Sequence, residues 1–132
     1  MFKLVKIKTE QFAIIESVFD ESKEEIKFGF DFKFGLSSNK EIIIVSFKPA
    51  FIQDAPFLIL EVSCFFEMKN PMLKEELIID QDTARHLLML TIGTARGVLH
   101  AKTENTPFNK FIIPTINLYK AIEEDIKFEA KT

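Results

Sequence analysis

The segment 26–36 alternates large apolar side chains with glycine or charged ones without interruption. Successive side chains of a β-strand point to opposite faces of a sheet, so strict period-two alternation predicts a strand with one wholly apolar face. A face of this kind has to be covered by another layer, by a second subunit or by a ligand. The face consists of Ile26, Phe28, Phe30, Phe32, Phe34 and Leu36.

Three further strands are predicted around this one. The first runs from Phe2 to Val18 and is irregular near Thr9–Gln11. The third runs from Glu41 to Lys48, is apolar on both faces and is flanked by lysine, glutamate and proline, which guard against aggregation. After a loop over Ala50–Pro56, the fourth runs from Phe57 to Met68. Short polar turns between consecutive strands are typical of an antiparallel meander.

The second half of the chain is predicted to be helical. Asp80 and Asp82 are N-cap candidates, and Thr83 to Ala101 continues without proline for about five turns. A short C-terminal helix is predicted to begin at Asn117 and to reach Ile126. The predicted fold class is therefore α+β. A four-stranded antiparallel meander sheet is followed by one long helix and a short C-terminal helix, in a single domain over residues 1–132.

The chain contains 15 phenylalanines, one tyrosine and no tryptophan. One long and one short helix cover only one face of a four-stranded sheet, and each exposed phenylalanine would forgo about 2–3 kcal/mol of burial. This apolar surplus predicts self-association and a surface that binds other polypeptides.

Two glycines lie four residues apart within the predicted long helix. Together they cost about 2 kcal/mol relative to alanine, which predicts that another backbone approaches this stripe closely. The predicted oligomer interface comprises Leu88, Ile92, Gly93, Ala95, Arg96 and Gly97.

The sequence contains no recognisable catalytic, phosphate-binding or metal-binding motif. Cys64 is the only cysteine and is expected to be buried in a strand. His86 and His100 lie about 21 Å apart along the predicted helix, too far to share a metal. Arg85 and Arg96 are expected to pair with acidic groups at an interface. We therefore predict a protein that is not an enzyme and that uses no cofactor or metal.

The net charge of −3 and the pI of about 5.5 argue against binding of nucleic acid. Residues 1–6 alternate charged and apolar side chains and lack the apolar core of a signal peptide. No apolar run reaches the roughly 20 residues of a membrane span. The sequence predicts a cytoplasmic protein without membrane insertion.

Several landmarks resemble those of the SecB export chaperones. Ala84-Arg85, Gly93–Gly97, Pro107–Asn109 and Ile113–Tyr119 are similar to the helix-and-tail signature of that family. The first half is compatible with the family's opening and fourth strands over Phe2–Ile14 and Pro56–Phe66. The resemblance covers nearly the whole chain and rests on the order and spacing of the landmarks.

The resemblance implies a cytoplasmic homotetramer, a dimer of dimers with helices inside and sheets outside, whose grooves bind unfolded preproteins for delivery to a translocase motor. Two departures, the longer helix before Pro107 and the short tail after Ile126, bear more on docking to that motor than on client binding. The predicted client-binding surface comprises Phe28, Phe30, Phe32, Phe34, Phe57, Phe65, Phe66, Phe108, Phe111, Tyr119 and Ile122.

Three alternatives remain open from the sequence. A SecB-like protein could serve another client, such as the unstable antitoxin of a toxin–antitoxin system. A hotdog-like thioesterase or small-ligand binder also joins a long helix to an antiparallel sheet, although its helix usually follows the first strand. A purely structural assembly subunit would bury every phenylalanine in contacts between chains.

Overall fold

Four long strands form one antiparallel sheet, with β1 and β2 at its edges. A computed structural model describes residues 2–68 and 76–129 of the chain. In sequence order, the strands are β1 (Phe2–Ile14), β2 (Lys27–Leu36), β3 (Ile42–Ile52) and β4 (Pro56–Met68). Their order across the sheet is β1-β4-β3-β2.

This order confirms the antiparallel sheet but not the meander. The three strands β2, β3 and β4 follow one another as neighbours, whereas β1 pairs with β4 instead of β2. The connection over residues 15–26 is long enough to cross the end of the sheet from β1 to β2, whereas a tight hairpin turn joins only neighbouring strands. The backbone N–H of Ile15 already donates to the carbonyl of Phe57 at 2.7 Å. The arrangement is a Greek key.

Strand β3 is longer than predicted. It continues through Pro49 to Ile52, so the expectation that Lys48 and Pro49 end the strand is wrong. Proline removes only one ladder donor, and the apolar residues beyond it resume pairing with β4, as Phe51 does with Leu58. In β1, the predicted irregularity lies between Thr9 and Gln11, and a second register shift lies between Leu4 and Lys6.

The long helix α1 (Gln81–Thr103) confirms the prediction, with Asp80 as its N-cap. It packs across β3 and β4, and its sheet-facing side chains are buried. Cys64 of β4 lies against Thr91 and Thr94 of α1, and burial raises the pKa of its thiol. Neither α1 nor any other helix within the described ranges is long and apolar enough to cross a membrane.

The two sheet faces differ because alternate residues point in opposite directions. The inner face, which packs on α1, includes Val45, Phe47, Val62 and Phe66, all buried. We call the opposite side the outward face; Ser46 of β3 and Ser63 of β4 pair at its centre.

The C-terminal region departs from the prediction. A 3₁₀ turn (Pro107–Lys110) follows α1, and α2 (Leu118–Ala121) is capped by Asn117 but ends well before Ile126. The predicted helix to Ile126 is wrong, because β5 (Glu76–Ile79) and β6 (Ile126–Glu129) form a second, two-stranded sheet. In this sheet Ile126 lies opposite Ile79, whose side chain is buried.

Candidate functional site

Four phenylalanine rings follow one another along the inner face of β2. We call this row the aromatic strip. Its consecutive ring centroids are 6.2, 6.5 and 6.2 Å apart, so the rings form one continuous apolar surface. The strip comprises Phe28, Phe30, Phe32 and Phe34.

The strip is only partly covered because β2 is an edge strand. Helix α1 packs on β3 and β4, so rings of β3 beneath it, such as Phe47, are fully buried. Phe30 contacts Phe47 at a centroid distance of 5.7 Å and yet remains 40% exposed. The other three rings of the strip are half-buried. The aromatic strip is therefore the margin of the core that reaches solvent.

A groove of about 420 Å³ separates the strip from the C-terminal segment. Phe32 lies on the strip side of this groove, and residues 120–126, which we call the acidic wall, form the other side. The wall carries three exposed carboxylates against one lysine: Glu123, Glu124, Asp125 and Lys120. The groove thus combines an aromatic side with a negatively charged rim.

Two arginines of α1 hold the segment that follows the 3₁₀ turn, residues 111–126, in place. Arg85 donates from Nε and Nη2 to the carbonyl of Ile122 at 3.0 and 2.7 Å, and from Nη1 to Asp82 at 3.1 Å. Arg96 donates to the carbonyls of Ile113 and Pro114 at 2.9 and 2.7 Å. The extended tail makes no ladder there, so its carbonyls need side-chain donors.

Within the chain, the hydrogen bonds of Arg96 go to carbonyls, and Arg85 pairs with an acidic group only at Asp82, three residues earlier in the same helix. The expected pairing of both arginines with acidic groups at an interface stays a prediction. The proline at position 114, which interrupts regular backbone pairing, was the available signal for this anchoring.

A second aromatic cluster closes one end of the strip. The rings of Phe19, Phe57, Phe108 and Phe111 contact one another at centroid distances of 4.8 to 6.2 Å. Phe111 lies 5.4 Å from Phe51, which in turn contacts Phe28 of the strip. Phe57 and Phe108 are buried, whereas Phe19 and Phe111 are half-buried and extend the apolar surface.

The other predicted client-binding residues lie in different places. Phe66 is buried on the inner face, and Ile122 is buried in the acidic wall. Phe65 is half-buried on the outward face, with Lys6 5.1 Å above its ring. Tyr119 is 71% exposed and stacks against the guanidinium of Arg85 at 4.5 Å. The structure thus brings the four strip residues together with Phe111, and the binding role of each residue stays a prediction.

A separate apolar surface lies where β1 meets α1. A groove of about 460 Å³ runs between Phe2, Leu4 and Phe66 on one side and the first turns of α1 on the other. Exposed apolar side chains continue from this groove along β1 and α1. The periodicity of the sequence did not predict that these side chains are exposed. They are Leu4, Val5, Ile7, Met89 and Leu90.

The residues of the predicted oligomer interface divide between two sides of α1. Leu88, Ile92 and Ala95 are buried in the chain's own core. Gly93 and Gly97 are exposed, and a side chain added at either would meet nothing within 4 Å. The glycine stripe is therefore the part of that set still open to another backbone.

In the part of the chain that the structure describes, the two histidines lie apart from one another. His100 lies 3.7 Å from Glu104 within α1, and His86 lines the groove beside β1. Among residues 2–68 and 76–129, no three histidine, cysteine or acidic side chains are placed to hold a metal ion.

No protein-family model and no curated protein matches this chain. Among solved structures, it is similar to the SecB-like chaperone of Mycobacterium tuberculosis in complex with a ChAD peptide from the HigA1 antitoxin. The two chains are 9% identical, and the superposition covers 87% of this chain and 90% of the other with a TM-score of 0.56. The resemblance seen in the sequence landmarks is thus confirmed at the level of the fold, which is that of the SecB-like chaperones.

Proposed function

We propose that this protein is a chaperone that holds non-native polypeptide segments on the aromatic strip. The observation that carries the proposal is the 40% exposure of Phe30 within a continuous row of rings. A row of this size exposed on one edge is typical of a surface that binds another chain. The fold shared with a SecB-like chaperone solved with an antitoxin peptide supports the same proposal.

The geometry favours an extended client. Residues 28–34 span about 20 Å of strand, which matches roughly six residues of an extended peptide. In the described part of the chain, β2 has a ladder partner on one side only, so its other edge offers unpaired backbone groups. Phenylalanine needs no polar partner, so the strip can accept many apolar sequences.

The acidic wall adds a preference to this binding. Its three carboxylates lie across the groove from Phe32. A client segment with basic residues beside its apolar ones gains attraction there, whereas an acidic segment is repelled. We therefore propose apolar, basic segments as the favoured clients. An antitoxin is the client type favoured by the structural neighbour, and preprotein export with a translocase motor is the alternative.

We also propose that the chain works as a homo-oligomer, with a tetramer as the expected state. The exposed apolar side chains of β1 and α1 adjoin the Gly93/Gly97 stripe, and a second copy packed there would remove them from water. A cytoplasmic, non-enzymatic role completes the proposal. Static light scattering tests the oligomeric state, and a monomer at micromolar concentration would contradict the proposed homo-oligomer.

The chaperone function is tested by suppression of aggregation. Chemically denatured citrate synthase is diluted into buffer with the protein, and light scattering is followed with time. We expect suppression by the wild type and its loss in the double variant Phe30→Ser/Phe32→Ser. The matched control is Ile42→Ser/Ile44→Ser, which removes two half-buried apolar side chains from the outward face instead. Equal activity of both variants, or no activity in the wild type, would contradict the proposal.

Client type is tested separately by competition. A labelled unfolded preprotein is bound to the protein, and unlabelled antitoxin-derived peptides are added. Displacement by antitoxin peptides at lower concentration than by unlabelled preprotein supports the antitoxin assignment. The reverse order supports export.

A further inference from the structure

The outward face of the sheet has a charge opposite to that of the whole chain. Strand register places six lysines and three carboxylates on it, whereas the chain carries a net charge of −3. All six lysines are exposed. The lysines are Lys3, Lys6, Lys8, Lys27, Lys33 and Lys48; the carboxylates placed by register are Asp31, Glu61 and Glu67, and Glu10, at the register shift beside Lys8, adds a fourth.

A polar row crosses the middle of this face. Lys33, Ser46, Ser63 and Lys8 lie opposite one another on β2, β3, β4 and β1. The two serine hydroxyls are 2.7 Å apart. Both serines are buried, so the pair forms the neutral centre of the row. Ser46 and Lys33 line a depression of about 200 Å³ together with Lys48 and two of the carboxylates.

Direct ion pairs within the described ranges neutralise few of these lysines, although Lys3 and Lys48 lie opposite Glu67 and Asp31 in the strand register. Lys8 lies 3.3 Å from Glu10, and among residues 2–68 and 76–129 the other five make no ion pair within 4 Å. Half-buried apolar side chains lie between them: Ile42, Ile44, Ile59 and Phe65. The face thus presents a net positive charge on a partly apolar surface.

We propose that the outward face docks an acidic, partly apolar polypeptide segment of a partner protein. Because the face is positively charged, it favours a negatively charged partner, and its apolar side chains supply contact area for the partner's apolar residues. A nucleic acid fits less well, because the face carries no arginine and its carboxylates would repel phosphates. The site lies on the opposite side of the sheet from the aromatic strip, so partner and client can bind together.

The test is a fluorescence anisotropy titration of the full chain with a fluorescein-labelled oligoglutamate. We expect binding at low salt that weakens as salt rises. The double variant Lys33→Glu/Lys48→Glu should bind about fivefold more weakly or worse, and Lys3→Glu/Lys6→Glu should behave similarly. The control, Lys102→Glu/Lys127→Glu, makes the same charge change at exposed positions off this face and should bind as the wild type does.

Three results would overturn the proposal. The first is no binding of oligoglutamate by the wild type at low salt. The second is an equal loss in the outward-face variants and the control, which indicates only a general charge effect. The third is tighter binding of a single-stranded oligodeoxythymidine of equal charge, which indicates a nucleic-acid site. Far-UV circular dichroism of each variant confirms that a loss of binding is not a loss of fold.

Discussion

Phe30 and Phe47 lie on opposite sides of the boundary between core and surface, with their ring centroids 5.7 Å apart. Phe47 has no exposed area, whereas Phe30 is 40% exposed. They belong to neighbouring strands and to the same sheet face, but α1 covers only the strand of Phe47. The same residue type therefore stabilises the fold at one position and is available for binding at the other.

Truncation of these two rings should differ in its effect on stability. Phe47→Ala leaves a cavity in the core and should lower the free energy of unfolding by about 3–5 kcal/mol. Phe30→Ala removes a ring that is already partly hydrated, so we expect a loss of about 1–2 kcal/mol. Urea denaturation measures both values. A larger loss for Phe30→Ala than for Phe47→Ala would contradict the assignment of Phe30 to the surface.

Replacement of Arg96 should loosen the tail locally. Arg96→Lys cannot reproduce the two directed hydrogen bonds to Ile113 and Pro114, each of the charged type that contributes about 1.5–3 kcal/mol. We expect faster amide hydrogen exchange in residues 107–118 than in the wild type. The matched variant Arg85→Lys should instead affect the region around Ile122. Identical exchange patterns in the two variants would contradict separate anchoring points.

The buried serine pair should show coupling in a double-mutant cycle. Ser46→Ala or Ser63→Ala alone leaves one hydroxyl without its 2.7 Å partner, at a cost of about 1–3 kcal/mol. Removing both leaves no unsatisfied group, so the double variant should be more stable than the sum of the single effects implies by about 0.5–1.5 kcal/mol. Urea midpoints of all four proteins give this coupling energy. Strict additivity would show that the two hydroxyls do not interact.

Asp80 should make stability depend on acid pH. Hydrogen bonds from the Thr83 hydroxyl and then from the Thr83 N–H hold the pKa of its carboxyl below the ordinary 3.8. The folded state therefore binds this proton more weakly than the unfolded state. The resulting stabilisation is complete well above pH 3.8 and is lost as the pH falls through the folded-state pKa.

The comparison of Asp80→Asn with Asp80→Ala isolates that contribution. The amide of the Asp80→Asn variant keeps an N-cap acceptor at every pH, so the stability gap between wild type and this variant should shift against the wild type below pH 3.8. Asp80→Ala should lose about 1 kcal/mol at neutral pH because the cap is gone. Thermal unfolding at several pH values provides the measurement. A gap that does not change with pH would show that the Thr83 contacts do not hold the carboxylate.

The sequence predicted elements whose signal is local. Strict alternation identified β2 and its aromatic face, and the N-cap at Asp80 with a proline-free run identified α1. The place of β1 beside β4 depends on pairing between distant residues, such as Phe12 with Leu60, and no local pattern reports it. The predicted end of the C-terminal helix was wrong for the same reason, because Ile126 pairs with Ile79, which lies far away in the sequence.

The candidate site was predictable only in part. Composition indicated that some phenylalanines exceed the needs of one core, but exposure depends on which strands α1 covers. Phe57 and Phe30 look alike in the sequence, and one is fully buried while the other reaches solvent. The acidic wall and the two arginines that anchor the segment after α1 could not be predicted, because they depend on how the tail returns along α1.

The central claim, that clients lie on the aromatic strip, is tested most directly by site-specific photocrosslinking. p-Benzoylphenylalanine is introduced in place of Phe30, or in place of Ile44 on the outward face, and each protein is irradiated with reduced, carboxamidomethylated lysozyme, a permanently unfolded client that is basic and therefore matches the acidic wall rather than the outward face. The account predicts a strong crosslinked product from position 30 and little from position 44. Crosslinking from position 44 alone, or no crosslinking from position 30 when the client is bound, would contradict it.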